Sequence, residues 1–366
     1  MKIVALESRR VRLPLTRAYA IHGGSWDCVD LMLCELVADD GQRGFGQASP
    51  AEEVTGESIE ACASALAPER TAWLLGREVS DFGALVGEVQ ARGGPPAARA
   101  ALDMALFDLE MKRCNVPLVE QLARSITDMA TSVTIGLKGL DETLAEAQEY
   151  IGRGFRALKV KTGASVDLDL ERLGKLRERY GDGIALRADA NQGYDLRALK
   201  FFATRMEALD LEMLEQPTAR GEEDAWRALP EHLRRRVAAD ESVHDEGDLQ
   251  RFVKDGAPFG IVNIKLMKCG GLRPALRMAR IAERAKLEVM WGCMDESVLG
   301  IAAALHAAFA SPATRYLDLD GSLDLGEDPF TGGFALDNGR MRTLALPGLG
   351  VQCANSPARE AAPPRA

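Results

Sequence analysis

The chain is predicted to be an α/β protein in which a (β/α) barrel of eight strands follows a small α+β domain. Two observations predict this. Beyond about residue 128, eight short apolar runs recur: Ser132–Leu137, Ala157–Lys161, Ala185–Asp189, Glu212–Glu215, Val237–Asp240, Val262–Lys265, Val289–Cys293 and Tyr316–Asp320. Their starts lie 25 to 28 residues apart, with stretches of helical spacing such as Leu170–Tyr180 and Leu272–Ala285 between them. So even a strand period is the mark of a barrel, since a doubly wound sheet rarely keeps it for eight strands. Before that point the texture differs: the first 50 residues alternate as strands do, and helical periods follow.

In order along the chain, Val11-Arg12-Leu13 and Val29–Leu36 read as strands, Asp39-Asp40-Gly41 as a turn, and Gly44-Phe45-Gly46 as turn chemistry within the same hairpin pattern. Ser58–Leu75 and Pro96–Cys114 read as helices, the second stopped by Asn115-Val116-Pro117. The expected division is an α+β domain over 1–127 and a barrel over 128–325. Turns and short strands over 326–354 should pack back on the first domain, and the Ala-, Pro- and Arg-rich tail 355–366 should be disordered.

Composition excludes several function classes. With 45 Lys and Arg against 55 Asp and Glu, the net charge of −10 argues against a non-specific nucleic-acid binder, and Arg234-Arg235-Arg236 reads as a solvated helix end. Seven cysteines without C-x-x-C spacing form neither a disulfide framework nor a zinc knuckle, which suits reduced thiols in the cytoplasm. The N-terminus lacks a signal-peptide pattern, and the longest apolar stretch, Leu299–Ala310, is too short to span a membrane.

In a barrel, catalysis sits at the C-terminal ends of the strands, so the residue ending each run is diagnostic. The second run ends Lys159-Val160-Lys161, and positions two apart point the same way, so both lysines face the interior. The third ends in Asp189, the fourth in Glu215, the fifth in Asp240 and the sixth in Lys265, while the eighth carries Asp318 and Asp320. Asp189, Glu215 and Asp240 come from successive strands. Converging carboxylates repel unless neutralised, and an all-oxygen set suits Mg²⁺; the alternative is a structural charge network with the nearby lysines. Lys161 and Lys265 flank that cluster from opposite sides of the barrel. A lysine serves as a base only if its pKa falls, and Lys159, Lys268 and the metal are candidates for lowering it. The chemistry that fits is proton removal α to a carboxylate, with the metal stabilising an enediolate. Two bases on opposite faces give racemisation or epimerisation.

These residues resemble a known family. Lys159-Val160-Lys161, Arg187-Ala188-Asp189-Ala190-Asn191, Glu215-Gln216-Pro217, Ala239-Asp240-Glu241-Ser242 and Asn263-Ile264-Lys265-Leu266 match the muconate-lactonizing subgroup of the enolase superfamily in order and spacing. The resemblance covers essentially the whole chain. It implies a (β/α)7β TIM-like barrel under a capping domain completed by the C-terminal segment, Mg²⁺ on Asp189, Glu215 and Asp240, and Lys161 and Lys265 as paired acid/bases. Lys159 would contact the substrate carboxylate and lower its neighbour's pKa, and Thr134 and the backbone near Cys293 would touch substrate. The subgroup also holds cycloisomerases, o-succinylbenzoate synthases and N-acylamino acid racemases, so the match alone does not fix the reaction. The motif Asp318-Leu319-Asp320 resembles that of dipeptide epimerases, where it binds the substrate's α-ammonium. A homo-oligomer is expected from the family alone.

Charge near the site bears on the substrate. His22 stands about where epimerases of acidic dipeptides carry an arginine, and a neutral imidazole is a poor partner for a carboxylate. Asp295, in Met294-Asp295-Glu296-Ser297, resembles dipeptide epimerases that accept cationic dipeptides containing Lys or Arg. In those the loop acid follows Ser-Pro directly, where this chain has Ala51, leaving Glu52 as a substitute. The expectation is a Mg²⁺-dependent dipeptide epimerase; a racemase or cycloisomerase of the same subgroup and a non-catalytic metal-binding barrel are the alternatives. Gly270-Gly271 reads as a loop, and Asp103 and Asp108 as structural acceptors.

Overall fold

The computed structural model describes residues 1–21 and 24–354; His22 and the tail 355–366 lie outside the described residues. The chain opens with an antiparallel sheet of three strands, Ile3–Ile21, Gly24–Ala38 and Arg43–Ala48. The expected turn lies between the last two, with Gly41 donating to the Ala38 carbonyl at 2.9 Å. The first strand is far longer than the alternation around Val11–Leu13 suggested.

Against this sheet lies the helix Pro96–Arg113, buried along nearly its whole length. Gly44 and Gly46 are not turn residues, contrary to the expectation from sequence. They sit inside the third strand, where an added Cβ would lie 2.3 Å from the Ala105 carbonyl oxygen and 1.9 Å from that of Ala101. Only glycine lets strand and helix approach so closely.

Eight parallel strands follow in chain order: Val133–Ile135, Ala157–Lys161, Ala185–Asp189, Leu211–Glu215, Val237–Ala239, Ile261–Ile264, Glu288–Gly292 and Thr314–Asp318. A bridge between Thr131 and Leu317 joins the eighth strand to the start of the first and closes the barrel. Asp240 and Lys265 stand one residue beyond their strands and Asp320 two beyond, so these groups are carried by the turns that leave the barrel. Inside, Met213, Ala238, Ile261 and Met290 fill the centre, with Tyr316 packed on them. The apolar stretch near Leu299–Ala310 is the buried helix Val298–Phe309, and among the described residues no helix is long and apolar enough to cross a membrane.

The C-terminal segment touches both parts. Phe330 packs its ring on Phe45 at 5.4 Å, and Leu349 N–H donates to Asp108 at 2.9 Å. Its hairpin Phe334–Asp337 and Arg340–Thr343 extends instead to Met129–Ala130, just before the barrel. Asp108 and Asp103 are structural acceptors as expected: Asp103 caps the helix Leu272–Arg284 by taking the Leu272 N–H at 2.6 Å. Gly271 (φ 119°) makes room for that carboxylate, since its Cβ would lie 2.5 Å from the Asp103 Cγ.

Candidate active site

The strand ends gather a dense set of charges. On the second strand Val160 points into the core, while Lys159 and Lys161, 4% and 8% exposed, point inward. Lys161 Nζ donates to Asp189 Oδ2 at 2.7 Å and to Asn191 Oδ1 at 2.9 Å. Lys159 bonds to Asp318 and lies 3.5 Å from both Asp189 Oδ2 and Glu215 Oε2. Burial alone would lower Lys159, but Asp318, Glu215 and Asp189 outweigh it and hold its pKa well above the ordinary value.

Across the barrel, Lys265 Nζ sits 2.7 Å from Asp240 Oδ2. The expected lowering of this lysine by neighbouring cations is not found. Burial pulls its pKa down, yet Asp240 and Glu215 outweigh both burial and Lys159 and raise it. Lys268 plays a different part. Its ammonium donates to Asp240 Oδ1 at 2.5 Å and to the backbone carbonyls of Asp240, Val243 and Asn263 at 2.7 to 3.0 Å. It anchors Asp240. Asp240 and Asp189 are correspondingly held below the ordinary carboxylate range by their lysines, against the opposing effect of burial.

Glu215 behaves otherwise. Burial first, and then the charge of Asp189, push it up to about 8. Asn263 donates to its Oε1 at 2.6 Å, but Oε2 is buried without a hydrogen-bond donor among the described residues. Glu241, beside it in the cluster, is likewise pushed up to about 7 by burial, Asp240 and Asp189.

This surplus of buried negative charge, with Glu215 Oε2, Asp240 Oδ2 and Glu241 Oε2 all buried without a hydrogen-bond partner among the described residues and only oxygen donors, fits a hard divalent cation such as Mg²⁺. Among the described residues no three acidic, imidazole or thiol groups already converge as a cage, because lysine ammoniums lie against Asp189 and Asp240.

A cavity of about 120 Å³ opens above the cluster. Of the residues singled out from the sequence, Thr134, Lys159, Lys161, Lys265, Cys293, Asp295, Asp318 and Asp320 all line it. Asp189, Glu215 and Asp240 lie beneath, wholly buried. Asp318 takes the Ser132 hydroxyl at 2.6 Å, and Asp320 takes the Thr134 N–H at 2.6 Å. Burial and the nearby Asp318 raise Asp320 to about 6. Cys293 is half-buried, and desolvation and the nearby carboxylates push its thiol well up, so it serves as wall and not as nucleophile.

Glu52 does not reach this cavity. It lines a neighbouring one, and it is Val54 of the short helix Glu52–Thr55 and Ala51 just before it that line the cavity of the lysines. Sequence reasoning missed Arg17, Glu146, Asp324 and Asn191 on the cavity wall. Arg17 pairs with Glu149 at 2.8 Å, Glu146 at 3.5 Å and Asp324 at 3.8 Å, joining the first strand of the chain to the barrel mouth. Asn191 stood inside a recognised motif; nothing in the local pattern marked the other three.

Residues 4–123 match the N-terminal domain of mandelate racemase and muconate lactonizing enzymes, and residues 142–356 match the enolase C-terminal domain-like family. The chain belongs to the enolase superfamily. Within it, the chain is 49% identical to an L-Lys-D/L-Arg epimerase of Methylococcus capsulatus, over 96% of this chain and 99% of that protein. It is 46% identical to an L-Lys-D/L-Arg epimerase of Desulforapulum autotrophicum over the same shares, and 30% identical to an L-Ala-D/L-Glu epimerase of Bacillus subtilis over 96% and 97%. The crystal structure of the Methylococcus capsulatus dipeptide epimerase with Mg and the dipeptide L-Arg-D-Lys superposes with a TM-score of 0.94 at 49% identity, covering 96% of this chain and 99% of that one.

Proposed function

We propose that this protein is a Mg²⁺-dependent epimerase of cationic dipeptides, inverting the α-carbon of the C-terminal residue by a two-base 1,1-proton transfer. The observation that carries the reading is the placement of Lys161 and Lys265. They line one cavity from the second and sixth strands, four apart in a closed ring of eight, so one amine reaches each face of an α-carbon held between them. The similarity to L-Lys-D/L-Arg epimerases supports the reaction and the charge of the substrate together.

Asp189, Glu215 and Asp240 would hold the ion. Mg²⁺ bound there supplies a Lewis acid that draws electrons from the substrate carboxylate and so acidifies the α C–H. The chain's own groups do the rest. Lys159 offers its ammonium to the substrate carboxylate. Asp318 and Asp320, fixed by Ser132, Lys159 and the Thr134 amide, receive the α-ammonium, which relieves the crowding of their two charges. Of the paired lysines, one must be neutral to take the proton from Cα and the other charged to return one on the opposite face. The reverse reaction exchanges these roles.

Asp318 and Asp320 face the cavity, and the ion pairs of Lys161 and Lys265 lie at it, not elsewhere. Neither a substrate without an α-ammonium nor a non-catalytic barrel gains support from that arrangement. Assembly as a homo-oligomer in the cytoplasm belongs to the same proposal; it draws on the family resemblance and on seven unpaired cysteines.

The test is incubation with Mg²⁺ and pooled L,L-dipeptides in D₂O, read by mass spectrometry. One deuteron gained by Lys- or Arg-containing dipeptides, and lost with EDTA, is expected. Exchange confined to apolar or acidic dipeptides would overturn the cationic preference, and no exchange at all would overturn the epimerase.

A further inference from the structure

Lys161 and Lys265 line the same cavity, yet their backbones are held in different ways. Lys265 stands just before the short helix Leu266–Cys269, and the N–H groups of Lys268 and Cys269 donate to its carbonyl at 3.1 and 3.3 Å. The local chain fixes it. Lys161 ends its strand, and its carbonyl accepts instead from a side chain, Arg172 Nη2 at 2.8 Å. Arg172 reaches it from the helix Val166–Tyr180 and is only 4% exposed. The same Nη2 donates to Asp169 Oδ1 at 2.6 Å, from one turn further along that helix. Asp169 Oδ2 accepts the Gly163 N–H and the Tyr194 hydroxyl, each at 2.8 Å, and both Asp169 and Tyr194 are buried.

The three side chains therefore grip the chain at Lys161 and again at Gly163. Through Gly163 (φ 101°) they also bear on the loop after the third strand. A Cβ on Gly163 would lie 2.3 Å from the Ala190 carbonyl oxygen, and one on Gly193 would lie 2.4 Å from the Gly163 oxygen. That loop carries Asn191, and Thr162 between the two grips donates its N–H to the Asp189 carbonyl at 2.7 Å. Asp189 and Asn191 are the acceptors of the Lys161 ammonium, so both ends of this lysine depend on one set of contacts. Stability is a poor account of them. A buried guanidinium and carboxylate return little net stability, since desolvation offsets their attraction. Arg172 Nη1 is moreover buried without a hydrogen-bond partner among the described residues. An apolar side chain of similar volume would fill the space, but it would leave the Lys161 carbonyl unheld.

We infer that Arg172, Asp169 and Tyr194 are positioning residues for Lys161 alone, setting its amine against one face of the substrate α-carbon while Lys265 is placed independently. A reacting group misplaced by about 1 Å loses about a hundredfold in rate. Loss of these bonds thus slows proton removal from one epimer and spares the other. The inference rests on the reading of the protein as a two-base epimerase, and the experiment separates the failure of each.

The experiment follows loss of the C-terminal α-proton from L-Arg-L-Lys and, separately, from L-Arg-D-Lys, in D₂O with Mg²⁺, as initial rates by proton NMR. Lys161→Ala marks the epimer whose proton Lys161 removes. For that epimer, exchange is expected to fall about ten- to a hundredfold in Arg172→Met and about threefold in Tyr194→Phe. Exchange of the other epimer should change by less than about twofold in both variants. Arg172→Lys keeps a donor for the carbonyl and should recover part of the loss. Folding is checked by circular dichroism, and Tyr194→Phe, which keeps the ring, decides the matter if Arg172→Met does not fold. A network that only supports the fold would slow both epimers alike. That result, or no loss for either epimer, overturns the positioning role and leaves the epimerase standing. A wild type that exchanges neither epimer overturns the two-base reading and the inference with it.

Discussion

The barrel mouth and the capping wall are built on different physical terms. At the mouth, the charged groups of the cluster are rooted on strand ends or within a few residues after them, and the buried ones pair with opposite charges: Lys161 with Asp189, Lys265 and Lys268 with Asp240, Lys159 with Asp318. The capping wall comes from loops and strand edges that reach over the mouth from the first domain. It is held there by a few separate bonds, such as Ser49 Oγ to the Asp295 carbonyl at 2.6 Å. Groups that must be placed to a fraction of an ångström sit on the rigid scaffold; the capping wall is docked onto it by separate bonds, so its lining can change without moving them.

The largest expected effect comes from the mouth. Lys161→Ala and Lys265→Ala should each lower epimerisation about 10³-fold, the typical contribution of a positioned acid/base. Each variant should still exchange the α-hydrogen of the one epimer whose C–H faces the remaining lysine, without inverting it. Proton NMR in D₂O reads both quantities. Loss of less than tenfold for either lysine would remove it from the pair. Next in size is the ion. At about a hundredfold excess over its dissociation constant, Mg²⁺ should stabilise the fold by about 2.7 kcal/mol, read as a higher urea midpoint. Glu215→Gln should abolish that gain, and an unchanged midpoint in the wild type would argue against a metal at this place.

Much of the mouth was legible because strand period, interior-facing alternation and polar strand ends are all local patterns. Lys159, Lys161, Asp189 and Glu215 fall on the strand positions expected of them. Asp240 and Lys265 were expected on strands and stand just past them, a displacement of the size by which element ends are usually uncertain. The capping wall was far less legible. Gly44 and Gly46 carry no mark of the helix that crosses them, and Arg17 meets Asp324 across most of the chain's length. Glu52 could be placed on a loop near the site, but which cavity it lines depends on how the first domain sits on the barrel. A single sequence holds the composition of such a seam and not its pairing.

The seam between the two regions can be tested directly. Asp103, on a helix of the first domain, caps the barrel helix Leu272–Arg284, so Asp103→Ala should cost about 1–2 kcal/mol in chemical denaturation. Asp103→Asn keeps an acceptor and should cost less than half as much. If the two variants are equal, the cap bond is not what the carboxylate contributes.

His306 is the opposite kind of seam group and gives the smallest and most specific effect. It lies fully buried on the helix Val298–Phe309, where Nδ1 accepts the Val119 N–H at 3.0 Å. Burial pushes its pKa down from 6.5 to about 3. Between those values the unfolded chain takes up a proton that the folded chain refuses. Its share of stability is therefore present above pH 6.5 and lost as the pH falls, at up to about 1.4 kcal/mol per pH unit. Asp103 runs the other way. Burial raises it from 3.8 to about 7, so its folded form binds the extra proton and stability falls as the pH rises through that window. The two slopes oppose one another in the whole-protein curve, which is why the variants are needed. The stability difference between wild type and His306→Asn should be flat above pH 7 and move in favour of the variant as the pH drops from 6.5 to 5. A difference that stays flat across that range would mean that His306 titrates alike in both states and that burial does not hold it neutral.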